Sequence, residues 1–417
     1  MENKRLKIFV SSYACEPNLG SEIGVGWHWV LEMNKYFELW VLTRKSNQQH
    51  IEEWMKQNPQ GHEIHWLYYD TPYWMRFWKK GLRGVRMYYL LWQQMSDSIV
   101  RKTMERENIE IFHLLTYGNA LWRISPSGQK KFFVWGPTGG VDSIPEEYCQ
   151  HYSKLWQRTE WKRSMMVKAL PYNPTFMKQC KNANLILCKS YSIYDNIPEK
   201  YRHKAVLFTD VAVEPQAVER FFPHTYKDGI TRFIMVGRLE AWRGFDLAIE
   251  AMAIAVKENS KLHLDILGKG TEKEQILQHI KQNDMEQYVT MCGQVTMDEY
   301  YQKMADCDCV LNPCLKEGAV TTAFDSMSFS KPLVCIDTGG YTRYFDNDCA
   351  IVIPREGREE VIRNLANAIL RMTDPAERKR LGDEAHKRGL GYTWAEKGKA
   401  IYETITKAYR EYKASQH

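Results

Sequence analysis

The sequence predicts an α/β protein built from two Rossmann-like domains. Short apolar runs alternate with helical stretches along most of the 417 residues, and repeated β-α units of this kind form parallel sheets covered on both faces. The length corresponds to two domains at roughly 100–200 residues per domain. A segment with two prolines and a closing glycine, 210–229, separates two such series and is typical of an interdomain connector.

The strand candidates are apolar on both faces, as buried parallel strands are. They are predicted at 6–13, 38–44, 109–115, 131–136, 184–190, 204–208, 231–237, 261–268, 289–293, 309–313, 331–337 and 350–354. Helices are predicted between most of them, for example at 244–257, 271–283, 297–305 and 358–372, and a last helix at 393–413 has no strand after it. We therefore predict a first domain over 1–210, a second over 211–392 and a C-terminal helix over 393–417.

Composition excludes several classes of protein. The net charge of +6 is diffuse, so a nucleic-acid partner is not expected. The ten cysteines contain no C-x-x-C pair, which predicts reduced, buried thiols and no zinc site. No apolar run reaches the ~18 residues of a membrane span, and the apolar run at 8–10 is too short for a signal peptide. A cytoplasmic location follows from these observations.

The first candidate site lies in the stretch RFIMVGRLEAWRGFDLAIEAM. An apolar strand ends at Gly237, Arg238 follows it, and Arg243-Gly244 opens the next helix. Two guanidinium groups beside a strand tip and a helix N-terminus suit a diphosphate. The alternative is that both arginines are solvated loop charges.

The second candidate site follows the strand that ends at Pro313. A loop there carries Glu317-Gly318, and a helix is predicted to start near Thr322 with Asp325 in its first turn. The free amides of that helix would present positive polarity. The alternatives are that Glu317 is a surface acid and that Asp325 forms a capping pair with Thr322.

Together these segments resemble the C-terminal domain of the retaining GT-B glycosyltransferases of family 4. The matching pieces, in order, are Gly237-Arg238-Leu239, Arg243-Gly244, Gly268-Lys269-Gly270, Glu317-Gly318, Asp325, Lys331-Pro332-Leu333-Val334 and Gly339-Gly340. More loosely, CEPNLGSEIGVGWHW and WGPTGG (135–140) resemble the glycine-rich and acceptor-side loops of the N-terminal domain. The resemblance implies the GT-B fold, with two Rossmann-like domains facing a cleft and a C-terminal helix that crosses back to the N-terminal domain.

The resemblance also implies a role for each matched residue. Glu317 would hold a donor-sugar hydroxyl as a catalytic residue, and Asp325 would bind the ribose. His113, at a strand end, would face the donor sugar as a second catalytic residue, although a core histidine is an open alternative. Gly139 and Gly140 would lie on the acceptor side. The donor diphosphate would be bound by Gly20, Arg238, Arg243, Ala319, Val320 and Thr321.

The activity implied is transfer of a sugar, with retention, from a nucleotide-diphosphate donor to a glycan or lipid-linked acceptor in cell-surface polysaccharide synthesis. Arginines and helix amides would stabilise the leaving diphosphate, so neither a metal nor a cofactor is expected. Two positions depart from the family pattern, because Asp325 replaces a glutamate and Arg243 replaces a lysine. A GT-B nucleotide-sugar epimerase and a degenerate, non-catalytic sugar-nucleotide-binding subunit are the alternatives.

Residues 66–92 have an unusual composition, with ten aromatic residues and five Arg or Lys against one acid, Asp70. Aromatic and basic residues together are typical of a membrane-interface surface. We expect an amphipathic helical patch that contacts anionic lipid peripherally at the inner membrane face and admits the acceptor. The alternative is that the aromatic rings pack in the first domain's core.

Overall fold

A computed structural model of the protein describes residues 5–79, 84–214, 218–316 and 321–416. The chain divides into two compact units, each built on one parallel sheet. The first unit contains Met1–Val141, Lys168–Asp210 and Trp394–His417, and the second contains Asp142–Val167 and Val211–Thr393. The predicted α/β class with two Rossmann-like sheets is thus confirmed.

The described residues form thirteen strands, and all twelve predicted strands are among them. The strands are β1 (Lys7–Ser11), β2 (Glu38–Arg44), β3 (His65–Tyr69), β4 (Ile111–Leu114), β5 (Phe132–Thr138), β6 (Leu185–Cys188), β7 (Ala205–Leu207), β8 (Thr231–Val236), β9 (Leu262–Leu267), β10 (Val289–Gly293), β11 (Cys309–Asn312), β12 (Leu333–Ile336) and β13 (Ala350–Ile353). Only β3 was not predicted.

The predicted helices are also present, within two residues of their expected limits. The helices are α1 (Ser21–Asn34), α2 (Gln48–Gln57), α3 (Val85–Met95), α4 (Asp97–Arg106), α5 (Glu146–Cys149), α6 (Lys154–Lys168), α7 (Pro174–Asn182), α8 (Tyr191–Asn196), α9 (Glu199–Arg202), α10 (Phe245–Glu258), α11 (Lys273–Gln282), α12 (Met297–Asp306), α13 (Thr321–Ser328), α14 (Arg358–Arg371), α15 (Pro375–Gly389) and α16 (Trp394–Ala414).

The two sheets follow the same strand order over six strands, and the first sheet has a seventh strand, β7. The first runs β3-β2-β1-β4-β5-β6-β7 and the second runs β10-β9-β8-β11-β12-β13, with all strands parallel. In each sheet the order reverses at one point, between β1 and β4 in the first and between β8 and β11 in the second. Open α/β sheets bind ligands beyond the carboxyl ends of the strands at such a switch point.

The prediction of one helical patch over 66–92 was wrong. Residues 65–69 form the edge strand β3, which pairs with β2, and α3 begins only at Val85. The aromatic residues divide into three groups, of which the rings in β3 are half-buried. Tyr88, Tyr89 and Trp92 are buried against the sheet, as the core alternative predicted, whereas the segment 73–78 exposes its rings. The pairing with β2 draws this apolar run into the sheet as its edge strand, where only one side of its backbone is hydrogen-bonded to a neighbouring strand.

The C-terminal helix returns to the first unit, as predicted. It packs on α1, where Gly398 lies so close to Glu32 that a Cβ on the glycine would approach the carboxylate to 2.8 Å. The rings of Trp394 and His28 stack at 4.9 Å, and Ile401 and Ile405 are buried. Because Gly398 has no side chain, the C-terminal helix can approach α1 closely at this point.

The unit boundaries differ from the predicted domains at residues 142–167, which belong to the second unit rather than to the first. Three polar contacts hold this segment there. Trp156 donates to Glu272 at 2.6 Å, Lys316 donates to Glu160 at 2.6 Å, and the Tyr148 hydroxyl donates to the backbone oxygen of Glu356. These contacts join residues more than a hundred positions apart in the chain. Packing, rather than position in the sequence, therefore assigns this segment to the second unit.

No helix in the described ranges is both long and apolar enough to cross a membrane. All ten cysteines are free, and all but Cys149 and Cys292 are buried.

Candidate functional site

The loops that follow β8 and β9 touch backbone to backbone at the carboxyl edge of the second sheet. A Cβ on Gly268 would lie 1.9 Å from the oxygen of Gly237, and one on Gly270 would lie 2.3 Å from the oxygen of Leu239. Gly268 also has a φ of 138°. Only glycine fits at these positions, which gives the G-x-G piece of the sequence a packing role.

Both predicted diphosphate arginines lie at this edge, in different surroundings. The guanidinium of Arg243 covers Gly237, stacks 4.3 Å from the Trp242 ring and approaches the Cys314 sulfur to 3.5 Å. Arg238 is 67% exposed at its side chain and pairs with Glu240 at 3.1 Å. One arginine is therefore held across the strand tips, while the other extends into solvent.

The first turn of α10 opens beside these arginines. Gly244 precedes the helix with a left-handed φ of 74°, and a Cβ there would meet the oxygen of Pro313 at 2.2 Å. The amides at the start of α10 therefore lie next to the segment that follows β11. Free amides at a helix N-terminus favour an anion.

Glu317, Gly318, Ala319 and Val320 lie outside the described residues, so their predicted roles stay predictions. The residue before them is held firmly. The Lys316 ammonium donates to Glu160 of α6, and the two side chains are only 6% and 2% exposed. The same ammonium lies 5.1 Å from the Trp242 ring, and burial lowers the pKa of Lys316.

The Lys316–Glu160 pair was missed by sequence reasoning. Its partners are 156 residues apart, and Glu160 is a single acid in a helix rich in lysine and arginine. Nothing in either local pattern links the two, because only the packing of α6 into the second unit brings them together. The pair ties α6 to the start of the predicted Glu317 loop.

Asp325 lies deeper than predicted. It is the fifth residue of α13, and the first turn of that helix contains no acid, so the first-turn placement was wrong. The carboxylate is 3% exposed and accepts a 2.6 Å hydrogen bond from the Tyr300 hydroxyl. Burial raises the pKa of Asp325 to about 7. Thr321, the first residue of α13, is exposed.

His113 lies in the core of the first unit. It is the third residue of β4 and has no exposed surface. Its Nε2 lies 2.6 Å from the backbone oxygen of Gly136, and burial lowers the pKa of His113 to about 4. The neutral ring therefore donates to Gly136. This placement favours the core alternative, because the ring has no exposed surface.

The glycines predicted for the first domain gather at the carboxyl edge of its sheet. Gly20 precedes α1, directly after the loop that follows β1. Gly139 pairs with Asn119 from the loop after β4. Gly140 has a φ of 83°, and a Cβ there would meet the Asn119 amide at 2.3 Å. The structure thus brings Gly20, Gly139 and Gly140 to loops around the switch point between β1 and β4.

In the described part of the chain, no group of three or more His, Cys, Asp or Glu side chains could hold a metal ion.

Comparisons with known proteins agree with this geometry. Residues 219–388 match the family model described as Glycosyl transferases group 1. An uncharacterized glycosyltransferase of Methanocaldococcus jannaschii is 22% identical over 160 residues, which span 38% of this chain and 42% of that protein.

Solved structures share the fold. A glycosyltransferase from Rickettsia africae has a TM-score of 0.63 at 11% identity, covering 97% of this chain and 99% of its own. HepE of Anabaena, in complex with UDP and glucose, has a TM-score of 0.59 at 14% identity, covering 96% of this chain and all of its own. At these identities the likeness establishes the fold, which is the GT-B fold predicted from the sequence.

The buried pair yields a stability prediction. Glu160→Gln should lower the free energy of unfolding by about 3–5 kcal/mol, because it leaves the Lys316 ammonium buried without its counter-ion. Urea unfolding measures the loss. The exposed Glu147→Gln is the control and should change stability by less than ~0.5 kcal/mol. Adding Lys316→Met to Glu160→Gln should restore most of the stability, and a fully additive second loss would contradict the pairing.

Asp325 yields a pH prediction. Its folded pKa of about 7 lies above the unfolded value of about 3.9, so the native state retains a proton that the unfolded state releases. The protonated Asp325 carboxyl therefore makes its full contribution to the free energy of unfolding below about pH 4. That contribution is lost as the pH rises through about 7. Relative to Asp325→Asn, the wild type should lose up to ~1.4 kcal/mol per pH unit in this window. Urea unfolding across the window measures this, and a difference independent of pH would refute it.

Proposed function

We propose, from the match of residues 219–388 to the family model of the Glycosyl transferases group 1, that this protein is a retaining glycosyltransferase. It moves a sugar from a nucleoside-diphosphate donor to a glycan or lipid-linked acceptor, in the synthesis of a cell-surface polysaccharide. The observation that carries the proposal is the grouping of Arg238, Arg243 and the start of α10 at one switch point.

The departing nucleoside diphosphate is the chemical problem that this edge addresses. Negative charge develops on the leaving phosphate as the bond to the anomeric carbon breaks. Arg243 is already held across the strand tips by Trp242 and Cys314, so it needs little reorganisation to meet that charge. Arg238, exposed beside Glu240, has room to reach the outer phosphate oxygens. Two guanidinium groups and the α10 amides supply positive charge, so the proposed transfer needs no metal and no cofactor.

Glu317 holds a donor-sugar hydroxyl in this proposal, and Asp325 reads the ribose. The buried pair of Lys316 and Glu160 supports the first role, because it anchors the chain one residue before Glu317. Asp325 engages Tyr300, so a ribose hydroxyl would have to share or replace that hydrogen bond. UDP is the first nucleotide to test, since HepE, which shares the fold, is in complex with UDP.

The acceptor is proposed to be reached at an anionic membrane surface on the cytoplasmic side. Four neighbouring aromatic side chains are exposed in the segment 73–78, with Tyr73 at 76%, Trp74 at 71%, Phe77 at 61% and Trp78 at 38%. Arg86 is exposed as well, whereas Lys80 and Arg83 lie outside the described residues. Exposed large rings beside cations favour insertion at a lipid headgroup layer.

The diphosphate assignment predicts a binding defect. Arg238→Ala and Arg243→Ala should each raise the Kd for UDP about tenfold or more, because each removes a charge-assisted contact with phosphate. Calorimetric titration measures the Kd. Lys257→Ala, an exposed cation at the opposite end of α10, is the matched control. UDP affinity that stays normal in the folded double variant would eliminate this site.

The Glu317 assignment predicts a turnover defect without a binding defect. Glu317→Gln should lower kcat on the order of 100-fold, because the donor sugar loses its positioning contact, while the Kd for UDP stays near the wild-type value. Transfer or hydrolysis of a UDP-sugar panel measures kcat, with the exposed Glu356→Gln as control. A wild-type protein that binds UDP yet neither transfers nor hydrolyses any donor would instead be a non-catalytic subunit.

The membrane assignment predicts vesicle binding through the exposed rings. The wild type should co-sediment with phosphatidylglycerol vesicles at low salt and less at high salt. The double variant Trp74→Ser, Phe77→Ser should bind at least about tenfold more weakly, because two large apolar side chains no longer leave water. Phe222→Ser removes an equally exposed ring from the second unit as the control. Equal binding by both variants would assign the acceptor to solution instead.

A further inference from the structure

A group of cations lies at the carboxyl ends of β2 and β3 in the first unit. Arg44 is the last residue of β2, and Asp70, Arg76 and Lys79 follow β3. All three cations are half-buried, and the Asp70 side chain is 7% exposed. Charges at this edge lie where parallel sheets bind their ligands.

The single carboxylate does not balance these charges. Asp70 accepts from Arg76 at 3.0 Å and from the Tyr88 hydroxyl at 2.6 Å, so both of its oxygens are engaged. Among the residues that the structure describes, neither Arg44 nor Lys79 makes an ion pair. Three cations against one carboxylate leave two positive charges unbalanced in a half-buried place, where an unpaired charge is costly.

The two unpaired cations are held by aromatic rings rather than by acids. The Arg44 guanidinium stacks 4.9 Å from the Tyr13 ring and donates to the Tyr13 backbone oxygen at 3.3 Å. The Lys79 ammonium lies 5.6 Å from the Tyr88 ring. Burial, together with the charges of Arg44 and Arg76, lowers the pKa of Lys79. Ring contacts orient the cations without neutralising them, so the cluster keeps its charge available for an anion.

A polar atom beside the cluster also lacks a partner. The Tyr13 hydroxyl is buried and makes no hydrogen bond with any part of the chain that the structure describes. It lies close enough to Arg44 and Asp70 for their charges to act on its pKa in opposite directions. Buried hydroxyls are normally satisfied, so this donor is a second sign that a ligand belongs here.

We propose that Arg44, Arg76 and Lys79 form a subsite that binds a phosphate group of the acceptor. Two unbalanced positive charges match a dianionic phosphate or a diphosphate better than a single carboxylate. The exposed rings of Tyr73 to Trp78 adjoin the subsite in sequence and suit a lipid tail attached to that phosphate. The inference deepens the proposed transferase function and rests on it for the identity of the ligand as acceptor.

Inorganic diphosphate is the probe, titrated calorimetrically at low salt. The wild type should show two classes of site, one at the donor arginines of the second unit and one at this cluster. In an Arg238→Ala, Arg243→Ala background only the cluster should remain. Adding Arg44→Gln and Lys79→Gln should then weaken binding about 100-fold, or roughly tenfold per cation. Arg76 is left in place so that Asp70 keeps its partner.

Lys102→Gln, which removes an exposed cation from α4 of the same unit, is the matched control and should change nothing. Lys79→Gln alone keeps the Arg44 contacts to Tyr13 and serves if the double variant fails to fold, as judged by near-UV circular dichroism. Diphosphate binding unchanged by Arg44→Gln and Lys79→Gln, or by folded Lys79→Gln, overturns the subsite. If the cluster substitutions abolish diphosphate binding but Arg238→Ala and Arg243→Ala do not affect it, only the donor assignment is overturned.

The source of the phosphate is decided by vesicles. If the Arg44 and Lys79 variant loses diphosphate but still co-sediments with phosphatidylglycerol vesicles, the subsite takes the phosphate of an individual acceptor, as proposed. If the Arg44 and Lys79 variant binds neither diphosphate nor the vesicles, the subsite holds a bilayer headgroup, and the acceptor assignment is overturned.

Discussion

The common direction of the strands in each sheet is the constraint on which the candidate sites depend. Parallel strands place all of their carboxyl ends at one edge, and the shared strand order opens a switch point between β8 and β11. Gly237 and Arg238 follow one of these strands, and Cys314 and Lys316 follow the other. Because the strands point the same way, Arg243 after β8 meets Cys314 after β11, 71 residues further along the chain, without any local signal between them.

Close backbone approach then sets the shape of this edge. Gly268 allows the loop after β9 to touch Gly237, and Gly244 allows the start of α10 to touch Pro313. A side chain at either position would separate elements that carry Arg243 and the Lys316 segment. The glycines therefore act through packing, and the charged residues act because that packing brings them within reach of one ligand.

Burial decides the charge of several ionisable groups in the two units. His113 is neutral because it lies inside the first unit, and Asp325 titrates near neutral pH because it is enclosed beside Tyr300. Lys316 stays compatible with burial through Glu160. Arg44 and Lys79 differ from these groups, since rings rather than acids surround them. That difference distinguishes a balanced structural charge from one left for an anion.

The sequence by itself determined the fold class, twelve of the thirteen strands, the return of the last helix and the placement of Arg238 and Arg243 beside a strand tip. These follow from apolar periodicity and from the order of short motifs, which are local properties. Tertiary structure alone decided that 142–167 joins the second unit, that Glu160 meets Lys316, that Asp325 and His113 are enclosed, and that Arg44 lies with Lys79. Each of these depends on contacts between distant elements, and burial and charge balance have no value until those contacts form.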